Sequence, residues 1–421
     1  MSELRPGYQL TEYGTFPDDW QSVTVAATAS RAPNAIAGGP FGSDLVSSDY
    51  TEAGVPVIRG QNMGRKFVSG GFAFVSPAKA KNLSTNCAGG NDLVFTQRGT
   101  LGQVSIVPND VFDRYVVSQS QMKLSVDRTR FSPEYLYYYF TSQVGQRQIT
   151  DSAIQTGVPH TNLGILRRYR LPVPKTLVEQ QAIAEALGDA DALIEGLEAL
   201  IAKKRDIKQG AMQELLTGRC RLPGFLGEWR REALGTMADI SRGASPRPIE
   251  NPVWFDDHSN IGWVRISDVS RSGMTLIGTE QRLSRLGIER SRFVPAGSLI
   301  MSIAATVGRP IITGIDVCIH DGFVVFSNLR YDLNYLYYKL RFIEKDWGSE
   351  GQTGSQMNLN TQIISKRMVA VAPTLNEQRA IAAVLSNMDA EIAALREKLT
   401  KARAVKQGMM QVLLTGEIRL I

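Results

Sequence analysis

The chain has 421 residues, 43% hydrophobic and 21% charged, with 47 Lys and Arg against 41 Asp and Glu. That composition excludes wholesale disorder, and at roughly 150 residues per domain the length calls for two to three compact units. The net charge of +6 suits a polyanionic partner but is too thinly spread to demand one.

No apolar stretch reaches the roughly 18 to 20 residues of a bilayer helix, and MSELRPGYQL has no basic region followed by an apolar one. The expectation is a soluble, cytoplasmic protein with no membrane contact. Cys87, Cys220 and Cys318 stand too far apart for a disulfide framework or a metal knuckle, and His160, His258 and His320 are equally scattered.

In chain order, a first segment opens at Trp20 in FPDDW and continues into a glycine-rich polar loop, GGPFGSDL. An apolar strand carrying Arg59 follows, then strand, polar loop and strand in DLVFTQRGTLGQVSIVP, the YLYYYF cluster and the loop IQTGVPHTNL. Short alternating runs punctuated by Gly, Pro and Asn, joined to one or two helices, predict an α+β module. The tyrosine clusters, Tyr137 to Tyr139 and later Tyr337 to Tyr338, sit on helix-like segments rich in Leu and Phe and read as core.

From Glu179 to about Leu216 the pattern is one long helix. Ile183, Leu187, Ala190, Ile194, Leu197 and Ile201 alternate in steps of four and three, the seam of a coiled coil. At 1.5 Å per residue it runs on the order of 55 Å, too long to be buried inside a small domain. A second segment then repeats the first faintly: FLGEW, SRGASPRP, IGWVRISDV, SLIMSIAATVGRPII, YLYYKL and GQTGSQMNL. A second long helix closes the chain, with Ile381, Leu385, Met388, Ile392, Leu395, Leu399 and Ala402 as its seam. Thr176 to Leu222 aligns with Thr374 to Leu420 without a gap, and about 25 of roughly 47 positions are identical. The two seams match, so an antiparallel pair is expected. Gly210 and Gly408 suggest a bend or a close helix contact, because mid-helix glycine costs about 1 kcal/mol against alanine. Gly218 and Gly416 in Leu-Leu-Thr-Gly read as C-terminal caps.

This two-copy plan, with TLVEQQAIAEAL and LLTG answered by TLNEQRAIAAVL and LLTG, resembles the specificity (S) subunit of type I restriction-modification enzymes over nearly the whole chain. The resemblance implies two target-recognition domains, at 1–172 and 223–370. The helix regions at 173–222 and 371–421 would separate them, an α+β fold with an internal pseudo-two-fold repeat. Each domain would read one half of a bipartite, asymmetric DNA sequence. The helices would fix the gap and dock two methyltransferase subunits and, through them, motor-nuclease subunits. No cofactor is expected on this chain; S-adenosylmethionine, ATP and Mg would belong to the partners.

Base readout needs Arg or Lys toward guanine, Asn or Gln toward adenine, and small polar groups around them. In the first module the candidates are Gln97, Arg98 and Thr100 in the FTQRGTLG turn, Phe41, Gly42 and Ser43 in the glycine-rich loop, Arg59, Gln61 and Asn62 after a strand, and His160 with Asn162. In the second they are Arg242, Ser245, Arg247, Arg265, Ser267, Asp268, Ser302, Thr306, Gln356 and Asn358. The run Lys203, Arg205 and Lys208, echoed by Lys401, Arg403 and Lys406, is either a solvated helix face or a phosphate track. No methyltransferase cofactor loop, Asn/Asp-Pro-Pro-Tyr/Phe loop or P-loop is present, and the one Asp-x-Lys triplet, Asp206 to Lys208, lies in a helix. The expectation is a binding subunit rather than an enzyme; the alternative is a structural adaptor or a nonspecific DNA binder.

Overall fold

The computed structural model describes residues 6–11, 14–155, 157–349 and 359–420, so Gln356 and Asn358 lie outside the described residues. The backbone forms two compact units, Met1–Leu197 with Lys398–Ile421, and Glu198–Glu397. Among the described residues no helix is long and apolar enough to cross a membrane.

In the first unit a four-stranded antiparallel sheet runs in the order Val104–Ile106, Leu93–Thr96, Gln121–Leu124, Ile36–Gly38. A second sheet runs Tyr50–Thr51, Ala73–Val75, Val55–Ile58, Tyr115–Val117, Cys87–Ala88, with Val55–Ile58 parallel to Tyr115–Val117. The second unit repeats both. Asp239–Arg242, Phe323–Ser327, Leu299–Ser302 and Pro310–Thr313 make the antiparallel sheet, extended by Thr275–Leu276. Gly262–Val264 runs parallel to Val317–Ile319 in the other.

Each antiparallel sheet packs its apolar face on a tyrosine-rich helix capped by Ser132 or Asp332. Leu93, Phe95, Met122 and Leu124 meet Tyr135, Leu136 and Phe140; Leu299, Met301, Val324 and Phe326 meet Tyr335, Leu336 and Leu340. The tyrosine clusters are therefore core. Their hydroxyls find partners: Tyr135 donates to the Pro172 carbonyl at 2.8 Å, and Tyr335 accepts from the Ala372 amide at 3.0 Å.

The long helices span Leu177–Leu215 and Leu375–Leu413. Ile183, Leu187 and Ile201 of one seam and Ile381, Leu385 and Ile392 of the other are buried. In the first unit Glu179 pairs with Arg419 and Asp191 with Lys406; in the second Lys208 pairs with Asp389 and Arg221 with Glu377. As numbers rise on one partner they fall on the other, so within each unit the helix halves run antiparallel. Gly210 and Gly408 do not mark a contact: both are exposed, and a Cβ on either would meet nothing within 4 Å. Nothing in the structure explains them. Gly218 and Gly416 do terminate the helices, at φ +74° and +68°. Their bare Cα also lets an indole approach, since a Cβ would lie 2.7 Å from the Trp229 ring or 2.5 Å from Pro17 and 3.1 Å from Trp20.

Candidate nucleic-acid interface

The most repeated residues build the frame. Glu179 and Glu377 are 2% and 1% exposed, and each carboxylate takes a two-pronged bond from an arginine just beyond a helix end, Arg419 or Arg221. Gln180 accepts from the Ser132 amide at 2.9 Å and donates to the carbonyls of Arg130 and Pro174. Gln378 likewise accepts from the Asp332 amide at 3.0 Å and donates to the Ala372 carbonyl at 3.0 Å. A third device recurs: Asp191 takes Lys406 at 2.5 Å and the Tyr138 hydroxyl at 2.8 Å, as Asp389 takes Lys208 at 2.5 Å and Tyr338 at 2.8 Å. Lys208 and Lys406 thus make ion pairs between helices over a tyrosine ring. Lys203, Arg205, Lys401 and Arg403 lie on exposed helix faces.

Four further candidates serve the backbone. Asn62, 2% exposed, accepts from the Arg59 amide at 3.0 Å and donates to the Ser69 and Gly71 carbonyls. Asp268, 4% exposed, accepts from the amides of Arg265 and Glu280 and from Arg271. Asn162 caps the helix Leu163–Arg168 by accepting from the Ile165 amide at 2.9 Å. Ser302 is fully buried, with its hydroxyl on the Thr306 carbonyl. Thr306 itself is half-buried beside Ala305, whose φ is +59°.

The remaining first-module candidates gather at linked loops. The strand Leu93–Thr96 ends at Gln97, whose amide donates to the Ser120 carbonyl at 2.7 Å and whose carbonyl accepts from the Thr161 amide at 2.9 Å. Arg98 bridges to His160, which is half-buried, while Arg98 and Thr100 stay exposed on a tip turned by Gly99 at φ +101°. The glycine-rich loop lies on the same turn: a Cβ at Gly39 would sit 2.0 Å from the Ser118 carbonyl oxygen, so only glycine fits. Beyond it Phe41 is 68% exposed, with Gly42 at φ +56° and Ser43 exposed. Gln61 is exposed and donates to the Gly71 carbonyl at 3.0 Å; Arg59 is half-buried with an unpartnered Nε.

The second module uses the same close approach. A Cβ at Gly243 would meet the His320 carbonyl oxygen at 2.1 Å, setting the loop 242–247 against the turn 320–322. Between them opens a concavity of about 420 Å³ lined by Ser245, Arg247, Trp263, Arg265, Ser267, His320 and Asp321. Asp321 accepts from the Ser245 hydroxyl at 2.9 Å and from Arg247 Nη2 at 2.9 Å, and its backbone carbonyl takes Arg242 Nε at 2.7 Å. Burial works against its charge, but Ser245 and the neighbouring Arg247 outweigh it and hold the carboxyl below the ordinary range. Burial pushes His320 down, and its Nδ1 accepts from the Gly322 amide at 2.9 Å, an arrangement that favours the neutral ring.

Sequence reasoning missed the turn after the apolar strands YVV and VCI. It carries exposed Gln119 in one module and Asp321 in the other. The signal available was the repeat itself, an apolar run followed by a polar pair at matching places. Among the described residues no group of three His, Cys, Asp or Glu is placed to hold a metal ion.

Two like frames with unlike polar loops define a two-part recognition protein. The sequence matches the type I restriction modification DNA specificity domain twice, at residues 47–203 and 227–402. It is similar to the type I restriction enzyme MjaVIII specificity subunit of Methanocaldococcus jannaschii, 25% identical over 306 residues that cover 68% of this chain and 70% of that one. The putative MjaX specificity subunit of the same organism is 23% identical over 439 residues, covering 98% and 96%. The fold is similar to that of a type I restriction-modification S subunit from M. genitalium, with a TM-score of 0.59 at 15% identity, covering 94% of this chain and 96% of that one. The chain belongs to the type I restriction-modification DNA specificity family, that of the S subunits.

Proposed function

We propose that each module reads one half of a bipartite, asymmetric DNA sequence in the cytoplasm. The helices set the gap between halves and receive two methyltransferase subunits, which carry S-adenosylmethionine. Motor-nuclease subunits, using ATP and Mg, join through them. The observation that carries this reading is the pairing of a repeated frame with unlike loops: Gln97, Arg98, Thr100 and the Phe41 loop in one module, Arg247, Arg265 and Asp321 in the other. Two weak half-site readings on one chain act at high effective concentration toward each other and multiply into tight, selective binding. Lys203 and Arg205 supply phosphate attraction without sequence information.

The experiment is selection from a random duplex pool by the chain assembled with its methyltransferase subunits, followed by sequencing of methylated adenines. A two-part motif with a fixed gap is the expected result. Salt-sensitive binding with no motif would instead make the chain a nonspecific adaptor.

A further inference from the structure

Two arginines, Arg247 and Arg265, line the second-module concavity and a third, Arg242, binds the Asp321 backbone beside it; their engagements differ. Arg242 donates to the Asp321 backbone carbonyl, and Arg247 to its carboxylate. With Ser245 on the other carboxylate oxygen, Asp321 accepts through both side-chain oxygens and its own peptide. Arg265 is exposed, and its guanidinium makes no hydrogen bond or ion pair among the described residues. Its backbone is fixed: the Arg265 amide donates to buried Asp268 at 2.9 Å, at the start of the helix Ile266–Arg271. The same concavity is lined by Trp263, 2% exposed and 5.8 Å from the His320 ring, which in turn lies 4.8 Å from Phe323. An exposed arginine that lines this concavity, anchored at its backbone and with its fork unspent, can present paired donors to the acceptors O6 and N7 of guanine. The first module lacks this arrangement, because its matching turn carries Gln119 where the second has the carboxylate, and Arg59 is half-buried.

We propose that Arg265 is the guanine-reading side chain of the second module, and that Asp321 is the positioning residue that leaves it unengaged by taking up Arg242, Ser245 and Arg247. This rests on the half-site reading above and names the base that one module recognises.

The test uses the chain co-produced with its methyltransferase subunits, with base-resolved methylation of a duplex library varied through both half-sites. Wild type should require a G·C pair at one place in the second half-site. Arg265→Gln should cut discrimination there by about 5- to 140-fold and leave the first half-site unaltered. Arg265→Lys keeps the charge and can still donate to guanine but lacks the fork, so it should lose part of the preference, less than Arg265→Gln; it carries the test if Arg265→Gln fails to co-purify with its partners. Asp321→Asn should weaken the same preference in wild type and add nothing in the Arg265→Gln background, a dependence that a merely structural role would not produce. Unchanged preference at every position in both Arg265 variants, or an even loss across all sequences, would overturn the proposal. A wild-type complex with no two-part motif would instead overturn the reading on which it rests.

Discussion

Replacing Arg221 with alanine tests whether the repeated motif builds the frame. Glu377 receives Arg221 Nε at 2.9 Å and Nη2 at 2.6 Å, with the Trp229 indole N–H at 3.3 Å. The carboxylate side chain is 1% exposed and the guanidinium 24%, so the substitution leaves a buried charge with one neutral donor. Removing one partner of a buried ion pair costs about 3–5 kcal/mol, and the partial exposure of Arg221 places this case near the lower end, about 3 kcal/mol. For a unit of this size each kcal/mol moves the melting temperature by about 2–4 °C, giving a drop of about 6–12 °C in the transition of the second unit. The double variant Arg221→Met with Glu377→Gln retains volume and removes both charges, and should recover most of the loss. Scanning calorimetry of wild type, the single variant and the double variant decides the matter. A loss below about 1 kcal/mol, or a double variant as unstable as the single one, would refute the argument.

Gly416→Ala should destabilise the first unit by about 2 kcal/mol or more, because a side chain is strained at φ +68° and its Cβ would meet Pro17 at 2.5 Å; urea denaturation measures it, and a stabilised protein would contradict the cap. Lys339 is 2% exposed, donates to the Leu216 carbonyl and faces the Trp229 and Tyr335 rings, and burial pushes its ammonium from 10.5 down to about 7. Between those values the unfolded chain binds the extra proton, so this group makes stability rise with pH from about 7 toward 10.5; Lys339→Met should abolish that increment, and identical pH dependence in the two proteins would refute it. Arg98→Ala should relax one base pair of the first half-site by about 1–3 kcal/mol, read by methylation of half-site variants. Unaltered methylation of all variants would remove Arg98 from the reading set.

The helices and the duplication were legible because a seam of Ile and Leu in steps of three and four survives as periodicity, and the frame tolerates little change. The sheets were less so. Their strands run only two to five residues, and pairings such as Val55–Ile58 with Tyr115–Val117 join segments far apart in sequence. Exposed loop tips were readable from glycine placement, as at Arg98 and Phe41. The backbone bonds of Asn62, Asp268 and Asn162 were not legible because the groups that match base edges also mimic the backbone and readily accept from a nearby amide. The ion pairs of Lys208 and Lys406 were not legible because their partners Asp389 and Asp191 lie 181 and 215 residues away.

The division of labour follows from where polar groups are satisfied. Glu179, Glu377, Gln180 and Gln378 are buried and meet partners inside the fold, and Asp191 and Asp389 hold a lysine and a tyrosine, so a substitution at any of them strands a donor or acceptor. The turns at Gln119 and Asp321 sit at matching places on this frame, where an exchange of side chain disturbs few backbone bonds. Specificity can therefore change at the turns at small cost to the fold, whereas a change in the Glu-Gln or Leu-Leu-Thr-Gly segments acts first on stability. Variants of the first kind should alter which bases are methylated at normal protein levels, and variants of the second should lower protein levels with the motif intact.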